Sequence, residues 1–494
     1  MCGIAGVYLK PSSEDVERML NKLTHRGPDG RGIKNLPSGT LGHTRLAILD
    51  IEGGHQPMAV DGSWITFNGE IYNYRALAHE HLRGEMLHTH TDTEVLLHLY
   101  RKFGSRCVEL LDGMFAFAIL DNDGLFMARD PLGIKPMYCS ERDGAFYFAS
   151  EIKALAQVTN AIYEFPAGYS FHSRTGWRPY FAIDLAIKSP NGTEDVAESV
   201  RAVLQEAVRK RLLADVPIGI SLSGGLDSSI VALLANEDTA HLHSFAVGMA
   251  GSEDLAAARK MATVLGTQHH EKVYSQQEML SVLPKVIYHL ESFDPALVRS
   301  AIPNYFLAEM ASQFVKVILT GEGADEIYAG YDYLNSIQSP EELQEEMIHI
   351  TLGLHNTNLQ CADRIAMAFG LEARVPFLDT KSIGLGLGLP AEQKNHRDRP
   401  PKFLLREAFR DDLPEEIVNR PKQKFSKGAG SSDVISQLAE RSVSDDEFSS
   451  ERARLLNRWG YQLMNKEALY YYRILQQHFE DRWIFPVLGQ SRSL

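Results

Sequence analysis

The second residue of the chain carries chemistry that depends on its position. Cys2 follows Met1 and precedes Gly3. Removal of Met1 would leave Cys2 with a thiol and a free α-amine, and α-amines titrate near about 7.7–8.0. At neutral pH that amine can take the proton of its own thiol, which predicts a self-activating nucleophile. On Cys2 alone, the alternative is a small residue that happens to stand second.

Four polar segments downstream favour the nucleophile. Residues 25–30 (HRGPDG) form turns, and residues 41–46 (LGHTRL) place an arginine at the end of a strand. Residues 68–73 (NGEIYN) carry an amide, a flexible glycine and a carboxylate at a strand-to-loop turn, and residues 91–94 (TDTE) have the pattern of a helix N-terminus. Each segment alone is better explained as a capped turn or a surface ion pair, and only their combination favours the nucleophile.

A second kind of chemistry is indicated by residues 221–229 (SLSGGLDSS), between a predicted strand and a predicted helix. This is not a Walker A motif, which requires GxxxxGK followed by Ser or Thr. Glycines allow close backbone approach, and a helix N-terminus with serine hydroxyls can bind a diphosphate. The Asp227 carboxylate can reach a Mg²⁺ ion on the phosphates, because that ion prefers oxygen ligands. The alternative is a turn that caps a helix.

A third segment, residues 320–326 (TGEGADE), also follows a predicted strand. In an open parallel sheet the carboxyl ends of strands bind ligands, so this loop is expected beside the first. Its alternative is an acidic surface loop. Asp363 and Arg364 lie on a predicted helix before residues 370–377 (GLEARVPF), where buried ion pairs fit as well as substrate binding.

The predicted secondary structure that positions these residues differs between the first and the later part of the chain. The first third predicts hairpins and an α+β domain with mainly antiparallel sheet. Its predicted strands are Leu41–Asp50, Ser63–Asn68, Met114–Asp121, Leu125–Arg129 and Ala145–Ala149, with a helix over Glu94–Phe103. A polar segment, Ile187–Asp195, fits a linker.

Beyond the linker, strands alternate with helices, which predicts a parallel, doubly wound sheet. The predicted strands are Pro217–Leu222, Leu242–Val247 and Val315–Thr320, and the predicted helices are Leu226–Ala235 and Glu253–Leu265. The last hundred residues predict mostly helix, as in Pro401–Phe409 and Lys466–Phe479.

Composition limits the function further. At 494 residues, with 44% apolar and 23% charged residues, the chain is of globular type and long enough for about three domains. A net charge of −14 argues against nucleic-acid and anionic-membrane binding. Four cysteines without a CxxC pair give no disulfide framework, no apolar run reaches the roughly 20 residues of a membrane span, and the N-terminus lacks a basic signal-peptide region. We therefore expect a cytoplasmic protein.

These segments together resemble the glutamine-hydrolysing asparagine synthetases, in family order along nearly the whole chain. The resemblance implies a glutaminase domain over residues 1–186, an α+β N-terminal-nucleophile sandwich of antiparallel sheets between helices. It implies an ATP-pyrophosphatase-type synthetase domain over residues 195–494, an α/β doubly wound parallel sheet with a helical C-terminal part.

The resemblance also implies roles in glutamine hydrolysis. Cys2 would attack the carboxamide of glutamine and form a thioester, while Asn68 and the Gly69 N–H would form the oxyanion hole. Arginine offers a bidentate fork to the α-carboxylate of glutamine, and Asp92 would hold its α-amine. The implied glutamine-binding residues are Arg45, Ile48, Asn68, Gly69, Glu70 and Asp92.

In the synthetase domain the resemblance implies Asp227 and Asp325 as Mg²⁺ ligands and Glu322 as acceptor of a proton from ammonia. Lys422, one of two late lysines with Lys402, would stabilise negative charge in the transition states, and Lys424, two positions on, is the alternative for that role. The implied ATP-binding residues are Leu222, Ser223, Gly224, Gly225, Leu226, Asp227, Ser228, Ser229, Val247, Thr320 and Gly321. The implied acceptor-acid residues are Glu322, Asp325, Asp363 and Arg364, and Glu372 lies in a segment that the family also places near its acceptor acid.

The function implied is ATP-dependent synthesis of asparagine from aspartate, through β-aspartyl-AMP, with ammonia from glutamine and release of AMP, diphosphate and glutamate. ATP and Mg²⁺ are the implied cofactors and a homodimer the implied assembly. Three alternatives stay open: an amidotransferase acting on another carboxylate, a β-lactam-forming relative and an inactive binding homologue. The retained Cys2 and the Glu at position 322, where lactam-forming relatives carry Tyr, disfavour the second.

Overall fold

The computed structural model describes residues 2–185, 193–394, 399–421 and 432–489. Lys422 and Lys424 lie outside the described residues, as does most of the predicted linker, Ile187–Asp195. The described strands are β1 Gly3–Tyr8, β2 Gly30–Leu36, β3 Gly39–Arg45, β4 Met58–Val60, β5 Ser63–Ile71, β6 Gly113–Asp121, β7 Gly124–Arg129, β8 Tyr138–Arg142, β9 Ala145–Ala149, β10 Tyr163–Glu164, β11 Tyr169–His172, β12 Gly176–Pro179, β13 Ile218–Ser221, β14 His243–Gly248, β15 Gln268–Val273, β16 Val317–Leu319 and β17 Glu372–Arg374.

Helices cover these strands in both halves of the chain. The described α-helices are α1 Ser13–Asn21, α2 Tyr74–His81, α3 Asp92–Phe103, α4 Ile152–Leu155, α5 Thr193–Arg211, α6 Leu226–Asp238, α7 Glu253–Leu265, α8 Gln276–Leu290, α9 Pro295–Ala311, α10 Ala324–Ile327, α11 Pro340–Leu352, α12 Asn358–Met367, α13 Thr380–Gly388, α14 Ala391–Lys394, α15 Phe403–Ala408, α16 Glu415–Val418, α17 Ser432–Ser442, α18 Asp445–Trp459, α19 Lys466–Leu475 and α20 Asp481–Ile484. Short 3₁₀ turns occupy Thr24–Arg26, Gly104–Leu110, Asp332–Ser336, Gly353–Asn356, Pro376–Leu378 and Phe485–Val487.

The N-terminal half is a sandwich of two antiparallel sheets. One sheet has the strand order β10-β8-β9-β1-β3-β2 and the other β12-β11-β7-β6-β5-β4. Apolar side chains of both sheets, among them Ile4, Leu41 and Ala118, pack into a shared core between them. Helix α1 covers the first sheet and α3 the second, so central strands such as β6 are buried on both faces and read as continuous apolar runs.

The C-terminal half is built on a parallel sheet of order β15-β14-β13-β16-β17. The chain winds outward from β13 in one direction and then from β16 in the other, so the topological switch point lies between these two strands. Mostly helical structure follows from α11 onward. The predicted fold class, an antiparallel sandwich followed by a doubly wound α/β sheet with a helical C-terminal part, is confirmed.

Some predicted boundaries need correction. The strand predicted over Leu41–Asp50 ends at Arg45, and residues 46–50 form a loop. The helix predicted over Lys466–Phe479 ends at Leu475, and the one predicted over Pro401–Phe409 spans Phe403–Ala408. No helix among the described residues is both long and apolar enough to cross a membrane.

Candidate active sites

Cys2 directly precedes β1, and both its backbone N–H and its backbone carbonyl are hydrogen-bonded. Its N–H donates to Asn68 Oδ1 at 2.9 Å, and its carbonyl accepts from Arg26 Nε at 3.0 Å. The side chain is buried, with Sγ 3.9 Å from the carbonyl oxygen of Leu46. Burial raises the pKa of the Cys2 thiol, so the thiol is protonated at neutral pH and needs a base before it can act as a nucleophile.

Asn68 and Gly69 are neighbours on β5. This strand belongs to the second sheet and packs against β1, which follows Cys2. Because Asn68 Oδ1 accepts from the Cys2 N–H, its Nδ2 is the free end of the amide. Within the described part of the chain that buried Nδ2 has no hydrogen-bond partner. A Cβ on Gly69 would lie 2.1 Å from the carbonyl oxygen of Met114, so only glycine fits here. A donor without an acceptor beside a nucleophile is the arrangement an oxyanion hole requires.

The loop after β3 shapes the approach to Cys2. The Arg45 guanidinium is buried and donates to the carbonyls of Asp50 at 2.6 Å and Ile51 at 2.7 Å. The carbonyl of Ile48 accepts from the backbone N–H of Asp215 at 3.0 Å, so the C-terminal half helps to fix this loop. Arg45 at the end of β3 and Ile48 in the loop that follows therefore flank Leu46, whose carbonyl lies near Cys2 Sγ.

Two buried carboxylates complete this region. Asp92 begins α3 and accepts from the backbone N–H of Ile71 at 2.8 Å, and burial raises the pKa of Asp92 to about 6. Glu70 Oε1 lies 3.4 Å from Arg374 Nη2, on β17 of the other half. Burial and the neighbouring Glu372 carboxylate raise the pKa of Glu70 well above its usual range. The N-terminal site thus lies directly against the C-terminal half.

The second site occupies the switch point of the parallel sheet. The SGGLDSS loop follows β13, and the TGEGADE loop follows β16. The two loops approach so closely that a Cβ on Gly321 would lie 2.9 Å from the Cβ of Asp227. As predicted from their positions at strand ends, the two loops lie side by side.

The SGGLDSS loop has the geometry of an anion cradle. Gly225 begins α6 without a side-chain cap, which leaves backbone N–H groups at the helix N-terminus available to a ligand. Gly224 has a φ of +68°, and a Cβ there would lie 2.5 Å from the backbone of Ala257 and Ala258, so neither the conformation nor the space admits a side chain. The buried hydroxyl of Ser229 has no hydrogen-bond partner among the described residues.

A cavity of about 430 Å³ opens over both loops, a volume within the range of small-molecule sites. Nine predicted residues line it: Ser223, Gly225, Leu226, Asp227, Ser228, Thr320, Gly321, Glu322 and Asp325. Four predicted ATP-binding residues do not: Leu222, Gly224, Ser229 and Val247. Leu222 and Val247 are buried apolar side chains beneath the cavity floor, where they pack in the core.

An ammonium group lies between the two acidic residues predicted as metal ligands. Lys402 Nζ contacts a carboxylate oxygen of Asp227 and lies 2.7 Å from Asp325 Oδ1. The two carboxylates therefore meet at one point and share a cation. Asp227 Oδ1 is buried without a hydrogen-bond partner in the described ranges, and it remains available to a ligand.

Sequence reasoning missed most of the positive charge of this cavity. Four cationic side chains line it: Arg299, Lys402, Arg406 and Arg420. The sequence pattern singles out only Lys402 among them and assigns it no function. Arg420 Nη2 bonds Asp254 Oδ1 at 2.7 Å and its Nη1 bonds the carbonyl of Ser223 at 3.2 Å, which ties the phosphate loop to α7. Arg420 carries no sequence signal for this place, because its contacts with Asp254 and Ser223 span 166 and 197 positions of the chain.

Asp363, Arg364 and Glu372 are not brought to the cavity. Asp363 and Arg364 are buried in an ion-pair cluster between the two halves, with Arg26, Glu151 and Glu291. Glu372 pairs with Arg374, whose Nε lies 2.6 Å from Glu372 Oε1. Burial opposes ionisation of Glu372, yet the charges of Arg374 and Lys135 help to hold its pKa at about 2. In place of a position at the cavity, Asp363 and Arg364 make the buried ion pairs that were the open alternative for this segment.

Metal coordination by the protein alone is not indicated. Across the described ranges no group of three or more His, Cys, Asp or Glu side chains is arranged to hold a metal ion. Asp227 and Asp325 offer carboxylate oxygens only, which suits an ion that completes its coordination with phosphate oxygens and water.

Comparison with known proteins gives matches to both halves. A model described as a glutamine amidotransferase domain matches residues 1–167, and an asparagine synthase model matches residues 199–348 and 335–483. A probable glutamine-hydrolysing asparagine synthetase of Schizosaccharomyces pombe is 38% identical, over 97% of this chain and 94% of its own length. Asparagine synthetase B of Escherichia coli is 36% identical over 99% of this chain and 92% of its own length, and the Zea mays enzyme is 37% identical over 97% and 86%.

Proposed function

Because the chain belongs to the family of glutamine-hydrolysing asparagine synthetases, we propose that its two sites divide that reaction between them. The protein is a ligase that makes asparagine from aspartate and ATP with nitrogen from glutamine. The Cys2 site releases ammonia from glutamine, and the cavity over β13 and β16 activates aspartate. The observation that carries the first assignment is the unpaired, buried Asn68 Nδ2 beside Cys2.

In the first half-reaction, once Met1 has been removed, the free α-amine of Cys2 accepts the thiol proton and Sγ attacks the carboxamide carbon of glutamine. Asn68 Nδ2 and the Gly69 N–H donate to the oxyanion of the tetrahedral intermediate. The Cys2 ammonium returns its proton to the leaving nitrogen, and collapse of the intermediate breaks the C–N bond, releases ammonia and leaves a thioester, which water hydrolyses to glutamate and the free Cys2 thiol. Arg45 binds the α-carboxylate, Asp92 the α-amine, and Ile48 and Glu70 shape the pocket.

In the second half-reaction, ATP lies with its β- and γ-phosphates on residues 222–229 and its remainder against Val247, Thr320 and Gly321. A side-chain carboxylate oxygen of aspartate attacks the α-phosphorus, which gives β-aspartyl-AMP and diphosphate. Ammonia attacks the acyl carbon, Glu322 accepts its proton, and AMP leaves. The anion cradle at the start of α6 and the cationic rim of Arg299, Lys402, Arg406 and Arg420 support this assignment.

Mg²⁺ fits the acidic pair. Asp227 and Asp325 already share the Lys402 ammonium, so their oxygens are placed to face one cation, and both are of the type that Mg²⁺ selects. Bound with ATP, the ion would neutralise charge on the diphosphate leaving group. Lys402, which lines the same cavity, would then be a phosphate ligand. Lys422, outside the described residues, is proposed to stabilise negative charge on the α-phosphate.

We also propose the arrangement around the two sites. The glutaminase domain spans residues 1–186 and the synthetase domain residues 195–494, with an internal passage that carries ammonia between them. A shielded route has a physical reason, since ammonia in water at neutral pH is largely protonated and is then no nucleophile. A cytoplasmic homodimer is the proposed state of the protein.

The assignment is tested with purified Cys2→Ala protein. Glutamate release from glutamine should vanish, while asparagine synthesis from ammonium chloride, aspartate and ATP should stay within about twofold. Cys107→Ala is the matched control, because Cys107 is a buried cysteine outside both sites, and it should retain glutamate release. Glutamine hydrolysis by Cys2→Ala would refute the nucleophile, and release of ADP and phosphate in place of AMP and diphosphate would refute adenylation.

A further inference from the structure

Arg26 connects the nucleophile to the synthetase half through a single fully buried side chain. Its Nε donates to the carbonyl of Cys2 at 3.0 Å. Its other nitrogens donate to Asp363 Oδ2 at 2.8 Å, to Asp363 Oδ1 at 3.1 Å and to Glu151 Oε1 at 2.7 Å. Asp363 belongs to α12 in the C-terminal half, 337 positions along the chain from Arg26.

These contacts hold the backbone of the residue that carries the thiol. The backbone N of Cys2 is fixed by Asn68 and its carbonyl by Arg26, so the direction of the Cα–Cβ bond is set by two partners. The guanidinium is planar and rigid, and a bidentate carboxylate fixes both its position and its plane. The carboxylate of Asp363 therefore helps, through Arg26, to fix the backbone of Cys2 from which the thiol projects.

Helix α12 also reaches the other site. Asn358, Cys361 and Ala362 line the synthetase cavity, while Asp363 is buried toward the glutaminase half. A shift of this helix upon substrate binding in the cavity would move Asp363 and, with it, the guanidinium that holds Cys2. Helix α12 thus contributes side chains to the synthetase cavity and, through Asp363, a contact to the Arg26 guanidinium that holds Cys2.

We propose that Asp363 is a positioning residue for glutamine hydrolysis, which acts through Arg26 from the synthetase half. The inference rests on the proposed role of Cys2 as the nucleophile. It assigns to Asp363 the orientation of Cys2, a role different from the contact with the acceptor acid that the family resemblance implied.

The local charges make the effect of a substitution specific. Arg26, Asp363 and Glu151 are almost inaccessible to solvent, and Lys135, Lys153 and Arg364 lie in the same cluster. In Asp363→Asn the side chain keeps its shape but loses its charge and one of its two acceptors, so Arg26 is drawn toward Glu151. Displacements of about 1 Å cost up to roughly 10²-fold in rate when they misplace a catalytic group.

The test is a double-mutant cycle of Arg26→Gln and Asp363→Asn, read as glutamate release without aspartate and as ammonia-dependent asparagine synthesis. We expect each single variant to lower the glutaminase kcat by about 10- to 100-fold. The KM for glutamine should change less than about threefold, because Arg45 and Asp92 make no hydrogen bond to either residue. The double variant should be no slower than the slower single variant, because both substitutions break one path. Ammonia-dependent synthesis should stay within about twofold, which also reports a folded synthetase half.

Lys316→Gln is the matched control, because it removes a different ion pair between the halves, Lys316 Nζ to Asp29 Oδ2 at 2.7 Å. It should leave the glutaminase kcat within about twofold. A wild-type glutaminase kcat in Asp363→Asn, additive losses in the double variant, or equal loss of both activities would each overturn the inference. Cys2→Ala separates this failure from that of the proposed function: if Cys2→Ala loses glutaminase activity while Asp363→Asn keeps it, only the positioning role is refuted.

Discussion

The oxyanion hole gives the most quantitative prediction, through the substitution Asn68→Ala. The Asn68 amide has two functions that the structure separates: Oδ1 accepts from the Cys2 N–H at 2.9 Å, and the buried Nδ2 has no partner in the described part of the chain. Truncation to alanine removes both groups. The Gly69 N–H remains, so the transition state keeps one donor.

The two losses can be added. Removal of one oxyanion-hole donor costs about 2.7–4 kcal/mol, which corresponds to roughly 10²–10³ in kcat. The lost acceptor for Cys2 adds about 1 kcal/mol, the usual net value of one hydrogen bond. We therefore expect the kcat for glutamate release to fall by about 10³-fold. The KM for glutamine should change little, because the Nδ2 donor acts on charge that develops only in the transition state.

The assay is glutamate release at saturating glutamine, beside ammonia-dependent asparagine synthesis as a measure of the intact synthetase site. Asn73→Ala is the control, since Asn73 lies in the following turn, where its Nδ2 donates to the Leu110 carbonyl at 2.9 Å. It should keep glutaminase activity within about twofold. A loss below tenfold in folded Asn68→Ala protein would refute the oxyanion role, and a parallel loss of ammonia-dependent synthesis would indicate a folding defect instead.

Three further predictions concern the phosphate loop, the acidic pair and the glutamine pocket. Gly224→Ala should lower diphosphate release by at least about 10²-fold and leave glutamate release unchanged, because its Cβ would lie 2.5 Å from the Ala257 backbone; normal diphosphate release would contradict the cradle geometry. Asp325→Asn should raise the Mg²⁺ concentration for half-maximal diphosphate release at least about tenfold, and an unchanged Mg²⁺ titration would exclude Asp325 as a ligand. Asp92 has a pKa raised to about 6 by burial and loses its charge below that pH, so kcat/KM for glutamine, which already falls as the Cys2 α-amine is protonated below about 7.7–8.0, should fall by a further factor of about ten per pH unit below 6; a slope that does not steepen between pH 7 and pH 5 would remove Asp92 from the binding of the α-amine.

Local patterns in the sequence were sufficient for the fold class and the two ligand loops. A strand, a glycine-rich turn and a helix form one continuous segment in SGGLDSS, and the position of each such turn at a strand end places both loops at the switch point. The strand predicted through Asp50 failed for a nonlocal reason. Residues 46–50 are apolar enough for a strand, but bonds from Ala47 to Asp29 and from Asp50 to Asp215 hold them as a loop.

The cationic residues of the cavity could not be predicted either, because the contacts that place them there are nonlocal in sequence. Lys402 reaches Asp227 across 175 positions of the chain, and its neighbouring residues carry no motif for that contact. Asp363 shows the converse, since its place on a helix was predicted but not the side toward which it faces. That side depends on Arg26, which belongs to the other half of the molecule.

The central claim is that glutamine hydrolysis and aspartate adenylation are joined in one reaction, and product stoichiometry tests it most directly. Wild-type protein with glutamine carrying ¹⁵N in its amide, aspartate and MgATP should yield asparagine, AMP and diphosphate in equal amounts, with ¹⁵N in the side-chain amide of the asparagine. Glutamate should appear in at least the same amount. ADP and phosphate as products, or ¹⁵N only in free ammonia without labelled asparagine, would contradict the account.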